Sequence, residues 1–217
     1  YNDINFRQAL IHGIDRESVI KRLFKNSGEI ANSYRPSFSK DYNKEIATYH
    51  YDVKKAKEYL SKVKITKPIK FIISKGVSKS PEYSAFEKIV EDAKTLGLEV
   101  EVEVTEKSIA SLYASGKHGG IIYTNRDSSI ADTKKFWNKG AIPSEVKQLA
   151  QRFENTMFEE RRVSISHQLQ GLFSKHLQVI PLGFGAYRSA FSDKLVNWNP
   201  KAVDGNIWHN VEYLYFK

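Results

Sequence analysis

Between Ile69 and Val104 the hydrophobic period of the chain switches from strand to helix and back, and no other stretch restricts the fold as strongly. Ile69 to Ile73 is a short apolar run of strand length. Ser80-Pro81 then reads as a helix start, because proline is tolerated at a first helical position, where its missing N–H costs nothing. Tyr83, Phe86, Ile89, Val90, Ala93 and Leu96 fall on one side of that helix, and Gly97 ends it. From Leu98 to Val104 apolar residues alternate with Glu99, Glu101 and Glu103, a period of two that predicts a half-exposed strand. Two strands joined by a helix are expected to be parallel with a right-handed crossover. A short helix over Lys107 to Ser115 leads to a third strand, Gly119 to Thr124, giving β-α-β-α-β, the core of an open α/β sheet.

Helices are expected on both sides of this core. Asp3 or Asn2 can cap a first helix carrying Phe6, Ala9 and Leu10, and Asp15 a second carrying Val19, Ile20, Leu23 and Phe24. Asn26-Ser27-Gly28 stops the second, and residues 32 to 43 read as turn-rich loop. Asp52 opens a helix with Val53, Ala56, Tyr59, Leu60 and Val63 at three- and four-residue steps. Beyond the third strand, Ser129 to Trp137, Ser144 to Met157 and Glu159 to His176 read as helical. Val179 to Phe184 and Ala186 to Phe191 read as strands that can pair with each other, and Trp208 to Phe216 as an extended aromatic tail. No internal repeat or linker divides the 217 residues, so a single α/β domain over residues 1–217 is expected, with an open mixed β-sheet flanked by helices.

Composition narrows the function by exclusion. There are no cysteines, which removes disulfides, thiolate metal sites and cysteine nucleophiles. The net charge of +9 is spread along helix faces, as at Lys54, Lys55, Lys57, Lys62 and Lys64, and no basic groove or stacking motif accompanies it. A solvated surface is therefore expected, and no nucleic-acid partner. No two of the histidines, at 12, 50, 118, 167, 176 and 209, form the helical pair a zinc hydrolase needs. His118, just before the third strand, can reach a ligand or a chelated metal, but a lone histidine at a strand start is more often a surface or hydrogen-bonding residue. Gly183-Phe184-Gly185 lacks the third glycine and following helix of a dinucleotide site, and no Gly-x-Ser-x-Gly elbow occurs. The chain reads as a binder and not an enzyme, with no cofactor and no bound metal.

Tyr1 to Glu17, YNDINFRQALIHGIDRE, pairs Arg-Gln-Ala-Leu with Ile-Asp-Arg-Glu. Asp52, Ala56, Lys57 and Leu60, then Glu159-Glu160-Arg161-Arg162 with Gln168 and Gln170, then Val179-Ile180-Pro181-Leu182, follow in order. In that order these segments resemble the family 5 extracytoplasmic solute-binding proteins of peptide, dipeptide and nickel ABC importers. Tyr1 to Glu17 is similar to the start of their second, C-terminal lobe. The resemblance implies one lobe of a two-lobed periplasmic-binding-protein-like fold, whose partners would be the N-terminal lobe, a membrane permease and a ligand, an oligopeptide or dipeptide by default. It implies an extracytoplasmic location, in a periplasm or as a cell-surface lipoprotein. In some bacterial transcription regulators a similar module senses a small molecule, and that alternative stays open.

Open α/β sheets bind ligands at the carboxyl ends of their strands. The third strand ends at Tyr123-Thr124-Asn125-Arg126-Asp127, where the family usually carries Gly-Trp, a variable pair and an Asp. The resemblance makes Asp127 the acid that would neutralise a peptide's α-ammonium, with Asp132 as second candidate. Tyr123 or Asn125 stands where a tryptophan is common, and Arg126 can either neutralise Asp127 or take a ligand carboxylate through its forked donors. Asp127 can equally cap the helix expected from Ser129. Phe136 and Trp137 can line the pocket or belong to the core. Tyr34 and Arg35 can project toward the cleft or lie on the loop surface.

Overall fold

A computed structural model describes residues 2–25, 27–115, 119–124, 142–185, 192–196 and 215–216. The central sheet is built from β2 (Ile69–Ser74), β3 (Val100–Thr105) and β4 (Ile121–Ile122), in the order β3-β2-β4. Both pairings are parallel, with Phe71 opposite Val102 on one side and Ile121 on the other. The crossover from β2 to β3 is α5 (Tyr83–Thr95), and α6 (Ile109–Ser115) leads toward β4. The β-α-β-α-β core expected from the hydrophobic period is therefore present. β4 is shorter than expected, although the Tyr123 N–H prolongs its ladder by donating to the Ile72 carbonyl at 2.9 Å.

The entry to α5 differs from expectation. β2 runs directly into a one-turn helix, α4 (Lys75–Ser78), capped by the Ser74 hydroxyl, which accepts from the Val77 N–H at 3.2 Å. Ser80 and Pro81 then form a turn and not the first helical residues. The Ser80 hydroxyl accepts from the Glu82 N–H, and helical bonding begins when the Phe86 N–H reaches the Glu82 carbonyl. At the other end Gly97 stops α5 with φ of +88°, a left-handed conformation that glycine adopts without the Cβ clash.

One face of the sheet is covered by α5 and by α1 (Ile4–Gly13), α2 (Arg16–Phe24) and α3 (Val53–Leu60). Asp3, Asp15 and Asp52 cap those three helices, each side chain accepting from a backbone N–H of the first turn. Phe6, Leu10, Val19, Ala56, Phe71 and Phe86 are central to the resulting core. α2 and α5 are also joined by a buried polar contact. Asp92 of α5 accepts from the Asp15 N–H at 3.0 Å and pairs with Lys88 one turn earlier.

A second apolar cluster joins α7 (Ser144–Glu154) and α8 (Glu159–His176) through Val146, Phe153, Ile165, Leu169 and Phe173. β1 (Gly28–Ile30) pairs antiparallel with β5 (Gly183–Gly185). This corrects two expectations. No strand was foreseen at Gly28, and the strand near Gly183 was expected to pair with Ala186 to Phe191, which lies outside the described residues. Val179 to Leu182 is not in a ladder, since Pro181 has no N–H to donate and its carbonyl is taken by Arg16. In the tail, β6 (Leu195–Val196) pairs antiparallel with β7 (Tyr215–Phe216).

Candidate functional site

The carboxyl edge of the central sheet is where the strand geometry directs a ligand. Three chain segments leave the sheet there: Ser74-Lys75 after β2, Thr105-Glu106 after β3, and Tyr123-Thr124 after β4. The hydroxyls of Ser74 and Thr105 are both engaged, Ser74 with the Val77 N–H and Thr105 with the Lys107 N–H at 3.1 Å. Lys75 and Glu106 pair with each other in the exposed rim. These four residues stand at the candidate edge without belonging to any sequence motif. Their only signal in the sequence is position, immediately after each apolar strand.

Tyr123 is the one predicted ligand residue within the described structure. Its ring is half-buried and stands edge-on to Phe86 at 5.6 Å, so most of its surface is spent on the α5 side of the core. Burial, with a smaller contribution from the Glu82 carboxylate, pushes its hydroxyl pKa up to about 12, so the phenol is a neutral donor at physiological pH. Thr124, exposed, carries the chain out at the sheet edge. Asn125, Arg126, Asp127, Asp132 and Trp137 lie outside the described residues, as do His118, Phe136 and the helix expected over Ser129 to Trp137.

Tyr34 and Arg35 do not project toward this edge as free side chains. The Tyr34 ring is buried against Phe173 of α8, with centroids 5.4 Å apart. Arg35 is clasped by the buried Asp41, whose other carboxylate oxygen accepts from Ser166 at 2.7 Å. Gln170 completes the cluster. Its amide nitrogen donates to the Asp41 carbonyl at 2.6 Å, and its amide oxygen accepts from the Ser33 hydroxyl and the Asn43 N–H. The 32–43 loop is thus fastened to α8 by satisfied polar groups in a buried setting, where each would be costly unpaired.

Arg16 is a second feature that the sequence did not single out. The residue is 4% exposed, and its guanidinium donates to three carbonyls from three chain segments, Ala31, Tyr49 and Pro181. Burial lowers its pKa to about 10, so it stays protonated at neutral pH. It is the arginine of the Ile-Asp-Arg triplet, and its five N–H groups explain why this residue type fits a junction of several carbonyls. Among the described residues no group of three or more His, Asp or Glu side chains gathers as a metal site. Two surface depressions, of about 350 and 110 Å³, lie at the amino-terminal edge between Ile65–Pro68 and Gly97–Glu99 and beside Tyr59, away from Tyr123.

The model of the family described as "bacterial extracellular solute-binding proteins, family 5 middle" matches residues 1–144, about two thirds of the 217. The chain belongs to family 5 of the bacterial extracellular solute-binding proteins. Over 61 residues, 28% of this chain, it is 33% identical to heme-binding protein A of Haemophilus influenzae, covering 11% of that protein. Over 66 residues, 30% of this chain, it is 30% identical to the dipeptide-binding protein of Escherichia coli, covering 12% of it. Its fold matches the oligopeptide-binding protein AppA of Bacillus subtilis, solved with a nonapeptide, at a TM-score of 0.74 and 17% identity. That match takes in 99% of this chain and 48% of AppA. The family 5 chain therefore spans about half the length of this solved relative, and the likeness at that identity is one of fold.

Proposed function

We propose that this chain is the ligand-gripping second lobe of the substrate-binding component of an ABC importer. It captures an oligopeptide or dipeptide against the N-terminal lobe and delivers it to a membrane permease. The observation that carries the reading is the family match over residues 1–144, joined to a fold match that takes in almost the whole chain and half of an oligopeptide-binding protein. The 217 residues act in this reading as one domain, outside the cytoplasm, and as a binder without a catalytic step of its own. The ligand sits at the carboxyl edge of the sheet. Asp127 meets the peptide ammonium, Arg126 is available to its carboxylate, and Tyr123, Asn125, Asp132 and Trp137 line the approach.

Native mass spectrometry of the full-length protein as purified tests this. Release of a ladder of short peptides on denaturation is the expected result and would establish peptide capture. A single defined molecule, such as haem or a metal chelate, would keep the binding protein and replace the ligand. An empty protein that retains DNA would overturn the importer reading in favour of a regulator.

A further inference from the structure

The stretch from Lys54 to Lys67 concentrates charge in a way that the fold does not need. It holds six lysines, at 54, 55, 57, 62, 64 and 67, against one acid, Glu58. α3 turns Val53, Ala56 and Leu60 onto the core, and all six lysines are exposed on the remaining surface of the helix and the turn after it. Three other lysines stand in ion pairs, Lys70 with Glu101 and Glu103, Lys75 with Glu106, and Lys88 with Asp92. No ion pair among the described residues involves any of the six. Lys62 Nζ stands 5.1 Å from the centre of the Tyr59 ring, an aromatic contact and not an ion pair. Two amphipathic or apolar side chains face water here, Tyr51 just before the stretch at 48% exposure and Ile65 within it at 39%.

We infer that this lysine face docks on a bilayer surface carrying anionic phospholipid headgroups. The charge is complementary, and its form suits a diffuse anionic surface. Six ammonium groups on flexible stems act as point charges, whereas a structured phosphate ligand would be expected to recruit the forked guanidinium of arginine, which is absent from this stretch. Tyr51 and Ile65 give the face the apolar and amphipathic edge that settles at headgroup depth. Nucleic acid would call for a groove lined by successive stacking rings, whereas of the aromatic rings on this face Tyr51 is exposed and Tyr59 is stacked on His12 and covered by Lys62. The face lies around α3 and the amino-terminal edge of the sheet, away from the carboxyl edge that would grip the ligand. Docking there would hold the binding protein near the membrane without occupying its ligand site.

Flotation of the full-length protein, prepared without lipid modification, with phosphatidylcholine vesicles containing or lacking phosphatidylglycerol tests the proposal. Binding to the phosphatidylglycerol vesicles alone, weakening as salt is raised, is the expected result. Each lysine near an anionic bilayer contributes a factor of roughly five, so Lys54→Glu, Lys55→Glu and Lys62→Glu together should weaken binding by about 100-fold or more. Lys147→Glu, Lys175→Glu and Lys194→Glu change the net charge equally on exposed sites elsewhere and should leave it within about twofold. The same three positions in α3 changed to Gln carry the test if the glutamate variant does not fold. Equal losses in both triple variants, equal binding with and without phosphatidylglycerol, or binding to polyglutamate but not to vesicles would each overturn the proposal. None of these outcomes bears on peptide capture, which is read separately by mass spectrometry.

Discussion

His12 is a neutral imidazole held in one tautomer. It is 4% exposed, lies parallel to the Tyr59 ring at 6.0 Å, and faces Tyr49 edge-on at 5.4 Å. Its Nδ1 sits 2.9 Å from the His50 carbonyl, which can only accept, so Nδ1 carries the proton. Burial lowers its pKa below the ordinary 6.5, and the nearby Lys55 and Arg16 add to the effect against the His50 carbonyl and Asp52. A depressed histidine pKa means that the unfolded chain takes up the proton first. Stability attributable to this residue is therefore present above pH 6.5 and falls as pH drops through the window just below it. Urea unfolding between about pH 6.5 and 5 checks this, above the range where most carboxylates titrate. The wild-type midpoint should fall over that interval, and His12→Gln, which keeps a donor toward His50 but cannot be protonated, should show a smaller fall. Identical slopes would mean that His12 does not report on folding in this range. Arg16 makes the same point about legibility: its place opening α2 was readable, but its reach to Pro181, 165 positions on, was not. Short periodicities carry no information about such distant pairings.

At the scale of elements, two glycines separate close packing from open surface. Gly183 begins β5, and a Cβ there would lie 2.5 Å from the Ile20 side chain of α2 and 2.7 Å from the Glu29 carbonyl of β1. The carbonyl cannot swing aside without breaking the β1–β5 ladder. Gly183→Ala should cost about 1–3 kcal/mol in chemical denaturation, as overpacking does in a filled interior. Gly171 is the counterpart, inside α8 with nothing within 4 Å of its Cβ position. Gly171→Ala should stabilise by about 0.5–1 kcal/mol, because alanine loses less backbone entropy in a helix. If both variants shift stability the same way, packing at β5 is not the cause. The elements legible in sequence were those with a strong period: α5 with six apolar residues on one face, β3 with alternating glutamates, and the three helices whose aspartates cap them. β1 and its pairing with β5 were illegible for a physical reason, although a strand reaching Phe184 was expected. Both are three residues long, contain glycine, and are held by α2 packing over them, which leaves no periodic trace.

For the whole molecule, the sheet edge links fold to function. The sequence pointed to this edge through the β-α-β period, and the structure brings Tyr123 to it. The same sequence misjudged Tyr34 and Arg35, since an aromatic and an arginine in a polar loop look identical whether they face a cleft or are tied down by Asp41 and α8. Thr124 stands at this edge three positions before Asp127 in the sequence, and the proposed anchor is tested in the full-length protein. Asp127→Ala should weaken a peptide with a free α-ammonium by about 1.5–3 kcal/mol, the range for a charge-assisted hydrogen bond, which is roughly 10- to 150-fold in Kd. Because ligand binding stabilises the folded state by RT ln(1 + [L]/Kd), the rise in Tm at a fixed peptide concentration should shrink in step, while the ligand-free Tm stays near wild type. A fall in the ligand-free Tm with unchanged affinity would identify Asp127 as a helix cap. Unchanged affinity and unchanged stability would move the anchor to Asp132, and calorimetry with an N-acetylated peptide separates the cases, since a blocked amine gains nothing from the carboxylate.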